Sequence, residues 1–204
     1  MSGPTLEFWQ DRFASRSIPW DRGETNPQLL HWLADGTLAP GSNVVVPGCG
    51  QGWEVAELAA AGMHVTGIDF ATEALALCRQ LLERRVASAH LLDANVLHWQ
   101  PTAPVDAVFE QTCLCALYPD YWTHYAAQLH AWLKPGGKLL ALFMQAPREE
   151  SAHGFIEGPP YHCDITAMRA LFPATLWTWP KPPYARSENT RIERTELAVA
   201  LIRK

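Results

Sequence analysis

The residues best suited to chemistry are three glycines, Gly48-x-Gly50-x-Gly52, which follow the β-branched run Val44-Val45-Val46. Glycine lets a backbone turn sharply and lets a ligand approach with no Cβ in the way. A helix that starts just beyond such a turn offers free N–H groups to an electronegative group. Asp69 ends the next apolar run, 21 residues after Gly48. A carboxylate at that place can accept hydrogen bonds from both hydroxyls of a ribose. The pattern points to a nucleotide-type cofactor. Its spacing is G-x-G-x-G, whereas dinucleotide-binding folds carry G-x-G-x-x-G. A dinucleotide therefore stays open as a second reading, and a tight turn with no ligand as a third.

Other reactive groups are sparse. No Ser/His/Asp set and no carboxylate pair stands out, and His162 and Glu157 are the candidates for a base. A surface histidine in a proline-rich loop is the plainer reading of His162. Tyr118, Phe155, Tyr161 and His162 follow the fourth and fifth predicted strands. That is the carboxyl side of the sheet, where open α/β folds bind ligands, so these four are candidate substrate contacts. Trp9 and Trp20 lie in a sparsely apolar N-terminal segment beside Pro19 and Gly23, which suits a lid. Trp122, Trp132, Trp177 and Trp179 suit core packing. Cys113-x-Cys115 has no second Cys or His pair at zinc-site spacing, so no metal is predicted.

The elements that must hold these residues alternate between strand and helix. The N-terminal segment up to residue 41 is helical and aromatic, with Leu6, Trp9 and Phe13 at helical spacing. Asn26-Pro27 reads as an N-cap with proline at the first helical position, and Gly36 closes that helix. Strands are predicted at Asn43–Pro47, His64–Asp69, His90–Leu92, Val105–Glu110 and Lys138–Met144. Helices are predicted at Glu54–Ala61, Thr72–Val86 and Asp120–Leu133, the last stopped by Lys134-Pro135-Gly136-Gly137. A short helix, Ile165–Phe172, precedes two strands, Thr175–Trp179 and Arg194–Ile202, joined by the polar loop Lys181–Asn189. The expected fold is α/β and Rossmann-like: seven strands, mostly parallel, the last antiparallel, helices on both faces. One domain spans 1–204, a helical aromatic lid (1–41) on a core (42–204).

Composition bounds the partners. With 48% hydrophobic and 18% charged residues the chain is an ordinary globular one. A net charge of -5 and the lack of any Lys/Arg run argue against a nucleic-acid partner. No basic-then-apolar leader opens the sequence, and no stretch nears the ~18 apolar residues of a membrane span. Five scattered cysteines read as reduced, buried thiols, so a cytoplasmic location is expected, and a monomer with it.

Two later features recur in class I methyltransferases: Leu133-Lys134-Pro135-Gly136-Gly137 before the fifth strand, and the terminal antiparallel hairpin. By that resemblance the cofactor is S-adenosyl-L-methionine. Further runs narrow the match: Phe8-Trp9-x(3)-Phe13-x(6)-Trp20-Asp21, Val46-Pro47-Gly48-Cys49-Gly50, Phe109-Glu110-Gln111-Thr112 and Gly158-Pro159-Pro160-Tyr161. Together they resemble the thiopurine S-methyltransferase family, especially its halide/thiol branch, over nearly the whole chain. The resemblance implies that Trp9, Phe13 and Trp20 line the cofactor pocket. It sets Gly48 against the methionine part, Asp69 at the ribose, and Asn95 and Val96 against adenine, with Cys49, Gly50 and Phe70 also in contact with the cofactor. Asp93 is the alternative to Asn95, where the family often has Asp. Glu110 and Gln111 complete the cofactor-binding set. Pro47 stands where many class I methyltransferases have an acid, Phe13 where the branch commonly has Trp, and Gln111 where relatives carry Arg or Tyr. The implied reaction is methyl transfer to a small soft nucleophile, such as a thiol or thiopurine-like sulfur. Methylation of oxygen or nitrogen on a small metabolite is the alternative. A sulfonium gains roughly 0.5–2 kcal/mol over an aromatic face. Alignment supplies roughly 7–11 kcal/mol of such a barrier, and a thiolate or halide is already a good nucleophile, so no strong general base is required.

Overall fold

A computed structural model describes residues 3–148, 156–191 and 193–204. The chain runs through α1 (Leu6–Ala14), α2 (Pro27–Ala34), β1 (Asn43–Pro47), α3 (Trp53–Ala60), β2 (His64–Asp69), α4 (Thr72–Arg85) and β3 (His90–Asp93). It continues through β4 (Val105–Gln111), α5 (Cys113–Ala116), a 3-10 turn (Pro119–Tyr121), α6 (Trp122–Trp132) and β5 (Leu133–Gln145). It ends with α7 (Ile165–Leu171), β6 (Trp177–Thr178), β7 (Ala185–Asn189) and β8 (Arg194–Arg203).

Strand order is β3-β2-β1-β4-β5-β8-β6, with β7 also paired to β8. The first five are parallel to one another, and β8 runs antiparallel to β5, β6 and β7. Chain reversal therefore falls between β1 and β4, and loops at the carboxyl ends of β1, β2, β3 and β4 open onto one edge.

Side chains alternate across each strand, so each buried strand feeds two cores. Val45, Val108, Leu139, Ala141 and Phe143 face one layer with Tyr125, Leu129 and Trp132 of α6 and Met168 of α7. Val44, Val46, Phe109, Leu140 and Leu142 face the other, with Leu29 and Trp32 of α2, Val55 and Leu58 of α3, and Leu75, Cys78 and Leu81 of α4. Trp132 and Trp177 are fully buried, the packing role expected of them. Truncating such a residue to alanine costs about 3–5 kcal/mol. A third, smaller cluster sets Phe13 of α1 on Ala71, Ala74 and Leu77, with Trp9, Ile18 and Trp20 over it.

Three local expectations are corrected. The sheet has eight strands: its last edge is shared by β6, on the C-terminal end of β8, and β7, on the N-terminal end. β7 occupies part of the segment read as a loop, because its buried residues, Ser187 and Asn189, are polar. The helix expected from Asp120 begins with a 3-10 turn and becomes α-helical only at Trp122. Strand β5 starts at Leu133, and Lys134–Gly136 form an exposed irregularity between the pairs Val105/Leu133 and Ala107/Lys138. Asn26 does cap α2 as expected: its Oδ1 accepts the Gln28 N–H at 2.9 Å, with Pro27 next to it.

Candidate active site

The glycine loop is held in a shape that glycine alone tolerates well. Gly48, Gly50 and Gly52 have φ of +58°, +52° and +81°. At Gly52 a Cβ would also overlap Cys78 Sγ of α4. At Gly50 the nearest obstacle is Phe13, 3.6 Å away, so this glycine is needed for its backbone angle and leaves room beside it. The loop is tied back by Cys49 N–H to Ile68 O and Gly52 N–H to Cys49 O, both 2.9 Å.

Asp69 braces the same loop. Its Oδ2 accepts the Gly50 N–H and its Oδ1 the Ala71 N–H, both at 2.9 Å. The side chain is buried, and burial pushes its pKa up, with the Asp93 charge adding to the effect and the N–H bonds opposing it. Asp93 is its register partner on β3. Just beyond, Asn95 Oδ1 accepts the Leu97 N–H at 2.9 Å, a turn that sets Val96 and Leu97 beside the loop.

The N-terminal segment closes over this edge. Trp20 meets Trp9 edge-on at 5.5 Å and Phe13 at 6.1 Å. Gln10 reaches Thr72 Oγ1 at 2.8 Å, which pins α1 to the start of α4. Asp21 is the latch: Gln51 Nε2 donates to its Oδ2 at 2.6 Å, and Trp53 Nε1 and the Gly23 N–H donate to the same carboxylate. From the far side, Asn189 Nδ2 donates to Trp20 O, and Arg22 donates to Glu188 O, Ser187 Oγ and Glu196 Oε2.

Together these elements enclose a cavity of about 1260 Å³. Its wall includes Trp9, Phe13, Trp20, Gly48, Cys49, Gly50, Asp69, Phe70, Asp93, Asn95, Val96, Gln111 and Tyr118. Four candidates stand elsewhere. Glu110 is buried and turned away, its Oε1 accepting the Leu114 N–H at 2.7 Å. Burial, reinforced by the charge of Glu196, pushes its pKa up to about 7. His162 spends Nδ1 on the Ala146 N–H at 3.1 Å, and Glu157 pairs with Arg148 at 2.6 Å, so neither base candidate reaches the wall. Tyr161 sits behind Tyr118, edge-on at 5.7 Å, with its N–H on Cys115 O. Phe155 lies outside the described residues.

Sequence reasoning missed Arg22, Gln51, Glu54 and Thr112, which also line the cavity. Glu54, in the first turn of α3, has one oxygen on the Asn26 N–H at 3.0 Å, and burial raises its pKa to about 7. Its signal was an acid two residues past the last glycine. A hydrogen bond with Cys78, and then burial, raises the pKa of the Cys49 thiol, and burial raises those of Cys113, Cys115 and Cys163, which keeps all four protonated and poor as nucleophiles. Among the described residues, no His/Cys/Asp/Glu group could hold a metal, and no helix is long and apolar enough to cross a membrane.

Residues 4–179 match the thiopurine S-methyltransferase family. A probable thiol methyltransferase 2 of Arabidopsis thaliana is 29% identical over 168 residues, covering 81% of this chain and 71% of that protein. Thiocyanate methyltransferase 1 of the same plant is 28% identical over 165 residues, covering 80% and 70%. Among solved structures, magnesium protoporphyrin IX methyltransferase from Synechocystis PCC 6803, with bound S-adenosylhomocysteine, superposes with a TM-score of 0.75. It covers 98% of this chain and 99% of that one at 18% identity, a likeness of fold.

Proposed function

Because the chain belongs to the thiopurine S-methyltransferase family of S-adenosylmethionine-dependent methyltransferases, we propose that it methylates the sulfur of a small thiol or thiopurine-like acceptor. Residues 1–41 act as a lid on the core formed by 42–204. The observation that carries the reading is one cavity joining the glycine loop, the aromatic lid and the carboxyl end of β4.

The wall suits the methyl donor. Asp21, Glu54, Asp69 and Asp93 put carboxylates around it, and Trp9, Phe13 and Trp20 put aromatic rings there, both favourable to a sulfonium cation. The open side of Gly50 leaves space where a side chain would intrude. S-adenosylmethionine supplies an electrophilic methyl group on that sulfonium. Gly48, Cys49 and Gly50 would hold its methionine part, Asp69 and Phe70 its ribose, and Asp93, Asn95 and Val96 its base.

The chain's own work is alignment and exclusion of water. The lid, tied down through Asp21, covers one side of the cavity and reduces its contact with solvent. A thiol must also lose a proton, and Glu54 is placed for that task in the stead of His162 and Glu157. With a pKa of about 7 its carboxylate is a sizeable fraction at neutral pH and still basic enough to accept a proton.

The test is direct. Purified protein with S-adenosylmethionine and a panel of small thiols is expected to yield methyl thioethers and S-adenosylhomocysteine, read by mass spectrometry. Tight cofactor binding with no turnover on any soft nucleophile refutes the proposal. Glu54→Gln should lower kcat for alkyl thiols at pH 7 roughly 10²-fold or more and leave strongly acidic aromatic thiols much less affected.

A further inference from the structure

Three carboxyl groups meet where the N-terminal segment, α3 and β8 come together: Asp21, Glu54 and Glu196. Glu54, in the first turn of α3, lines the cavity. One of its oxygens accepts the Asn26 N–H at 3.0 Å, and Asn26 Nδ2 donates to Glu196 at 3.1 Å, so one residue ties both carboxyls. The cation at this junction is Arg22, whose guanidinium is spent on Glu196 at 3.3 Å, on Ser187 Oγ and on Glu188 O. Glu57, three residues along α3, pairs with Arg85 at 3.6 Å. Burial favours the protonated form of Glu54 against the pull of the Asn26 N–H, and the Glu196 and Asp21 charges reinforce it.

The rest of the wall is also rich in acid. Among the described residues it carries the carboxyls of Asp21, Glu24, Glu54, Asp69 and Asp93 against the guanidiniums of Arg12, Arg22 and Arg194. Arg12 stacks on Phe8 at 5.1 Å and donates to Ser17 Oγ. Arg194, two residues before Glu196 on β8, is the remaining cation, while the charges that act on Glu54 are those of Glu196 and Asp21. A positive ligand entering such a site favours the ionised form of a carboxyl beside it, and a neutral counterpart does not. S-adenosylmethionine and S-adenosylhomocysteine differ by that one charge, a sulfonium in the first and a neutral thioether in the second.

We propose that Glu54 gives up its proton when S-adenosylmethionine binds and keeps it when S-adenosylhomocysteine binds, so that the base of the site is armed by the methyl donor. The inference deepens the S-methyltransferase reading and rests on it for the acceptor step. In that step Glu54 takes the thiol proton while the acceptor sulfur takes the methyl group. The bonding pair of the broken C–S bond stays on the donor's sulfur, which becomes neutral. One positive and one negative charge vanish together, so the pocket is balanced before and after transfer. Affinity for S-adenosylmethionine then rises with pH through the range where Glu54 ionises, near 7, and affinity for S-adenosylhomocysteine does not follow it.

Calorimetry of the two ligands, with no acceptor present, reads the effect without turnover. The ratio of their dissociation constants should shift toward S-adenosylmethionine by roughly fivefold or more between pH 5.5 and 7.5. At pH 6.5, titrations in two buffers of different ionisation enthalpy should show S-adenosylmethionine releasing roughly half a proton more than S-adenosylhomocysteine. Glu54→Gln should flatten the ratio, with retained binding of S-adenosylhomocysteine as the sign of an intact site. Glu110→Gln, at a buried carboxyl turned away from the cavity, should keep the wild-type slope. If Glu54→Gln does not fold, Glu54→Asp decides: a carboxyl drawn back from the cavity should give a shallower slope, and an unaltered profile overturns the inference. A flat ratio in the wild type overturns it outright. A slope that survives in Glu54→Gln also overturns it, and passes the linkage to His98 or His124 on the same wall. Thiol methylation with a flat ratio leaves S-methylation standing and removes this inference. The expected slope without turnover on any thiol removes S-methylation and leaves the linkage standing.

Discussion

Replacing Glu110 by glutamine should make the protein's stability respond differently to pH. The folded carboxyl has its pKa raised from an ordinary 4.5 to about 7, first by burial and then by the nearby Glu196 charge. In the unfolded chain it ionises near its ordinary value. Between these two values the folded state holds a proton that the unfolded state has released. Stability therefore falls as pH rises from about 4.5 to 7, and the penalty stays constant above that. About 2.5 pH units at about 1.4 kcal/mol each give a loss of about 3 kcal/mol. Glutamine carries no titrating proton, and its oxygen can still accept the Leu114 N–H that Glu110 accepts at 2.7 Å. Its amide N–H needs a partner as the carboxylic O–H did, which adds an offset independent of pH. The quantity to read is the change in the difference. Urea unfolding of both proteins, followed by tryptophan fluorescence at pH 4.5, 5.5, 6.5 and 7.5, should show Glu110→Gln gaining about 3 kcal/mol on the wild type across the series. Glu54 titrates over the same range in both proteins and largely cancels. A difference that stays flat from pH 4.5 to 7.5 refutes the reasoning, since Glu110 would then be ionised in both states alike.

Three further perturbations address the glycine loop and the segment packed over it. Gly52→Ala combines a φ of +81° with a Cβ driven into Cys78, and should cost roughly 2–5 kcal/mol and abolish measurable binding of S-adenosylhomocysteine. Gly50→Ala, whose Cβ meets only Phe13 at 3.6 Å, should cost roughly 1–2 kcal/mol by chemical denaturation; equal losses at both positions would contradict the packing argument. Asp21→Ala removes the acceptor of Gln51, Trp53 and Gly23, so KM for S-adenosylmethionine should rise roughly tenfold while the urea midpoint moves little. An unchanged KM would show that the cofactor site does not depend on these bonds to Asp21.

Much of this architecture was legible because the buried strands are apolar and the helices between them periodic. Thr72–Arg85 shows the rule: Leu75, Cys78, Leu81 and Leu82 are buried, while Arg79, Arg84 and Arg85 are exposed. β7 escaped because Ser187 and Asn189 bury polar groups, which pattern reading takes for a loop. The site was legible where one motif fixes a backbone, as at Gly48–Gly52, and failed where direction decides. Glu110 and Gln111 are neighbours on one strand, so their side chains point to opposite faces, and only one of them can meet the cavity. His162 failed for a different reason. Its imidazole fastens the loop to Ala146 at the end of β5, a tertiary bond that no local pattern announces.

The ties between the N-terminal segment and the β7–β8 pair also set an order of events during synthesis. Trp20, Arg22 and Asn26 are fastened by Ser187, Asn189 and Glu196, partners 161 to 174 residues downstream. At about 5–20 residues per second, the ribosome delivers those partners roughly 8–35 s after the lid itself. Through that interval the Trp20 carbonyl, Arg22 and Asn26 lack these partners, although Phe13 can already meet Ala71, Ala74 and Leu77. Contacts of such sequence separation are also slow to form once both partners exist. The N-terminal segment over the glycine loop is thus fastened on its far side by the last part of the chain to be made.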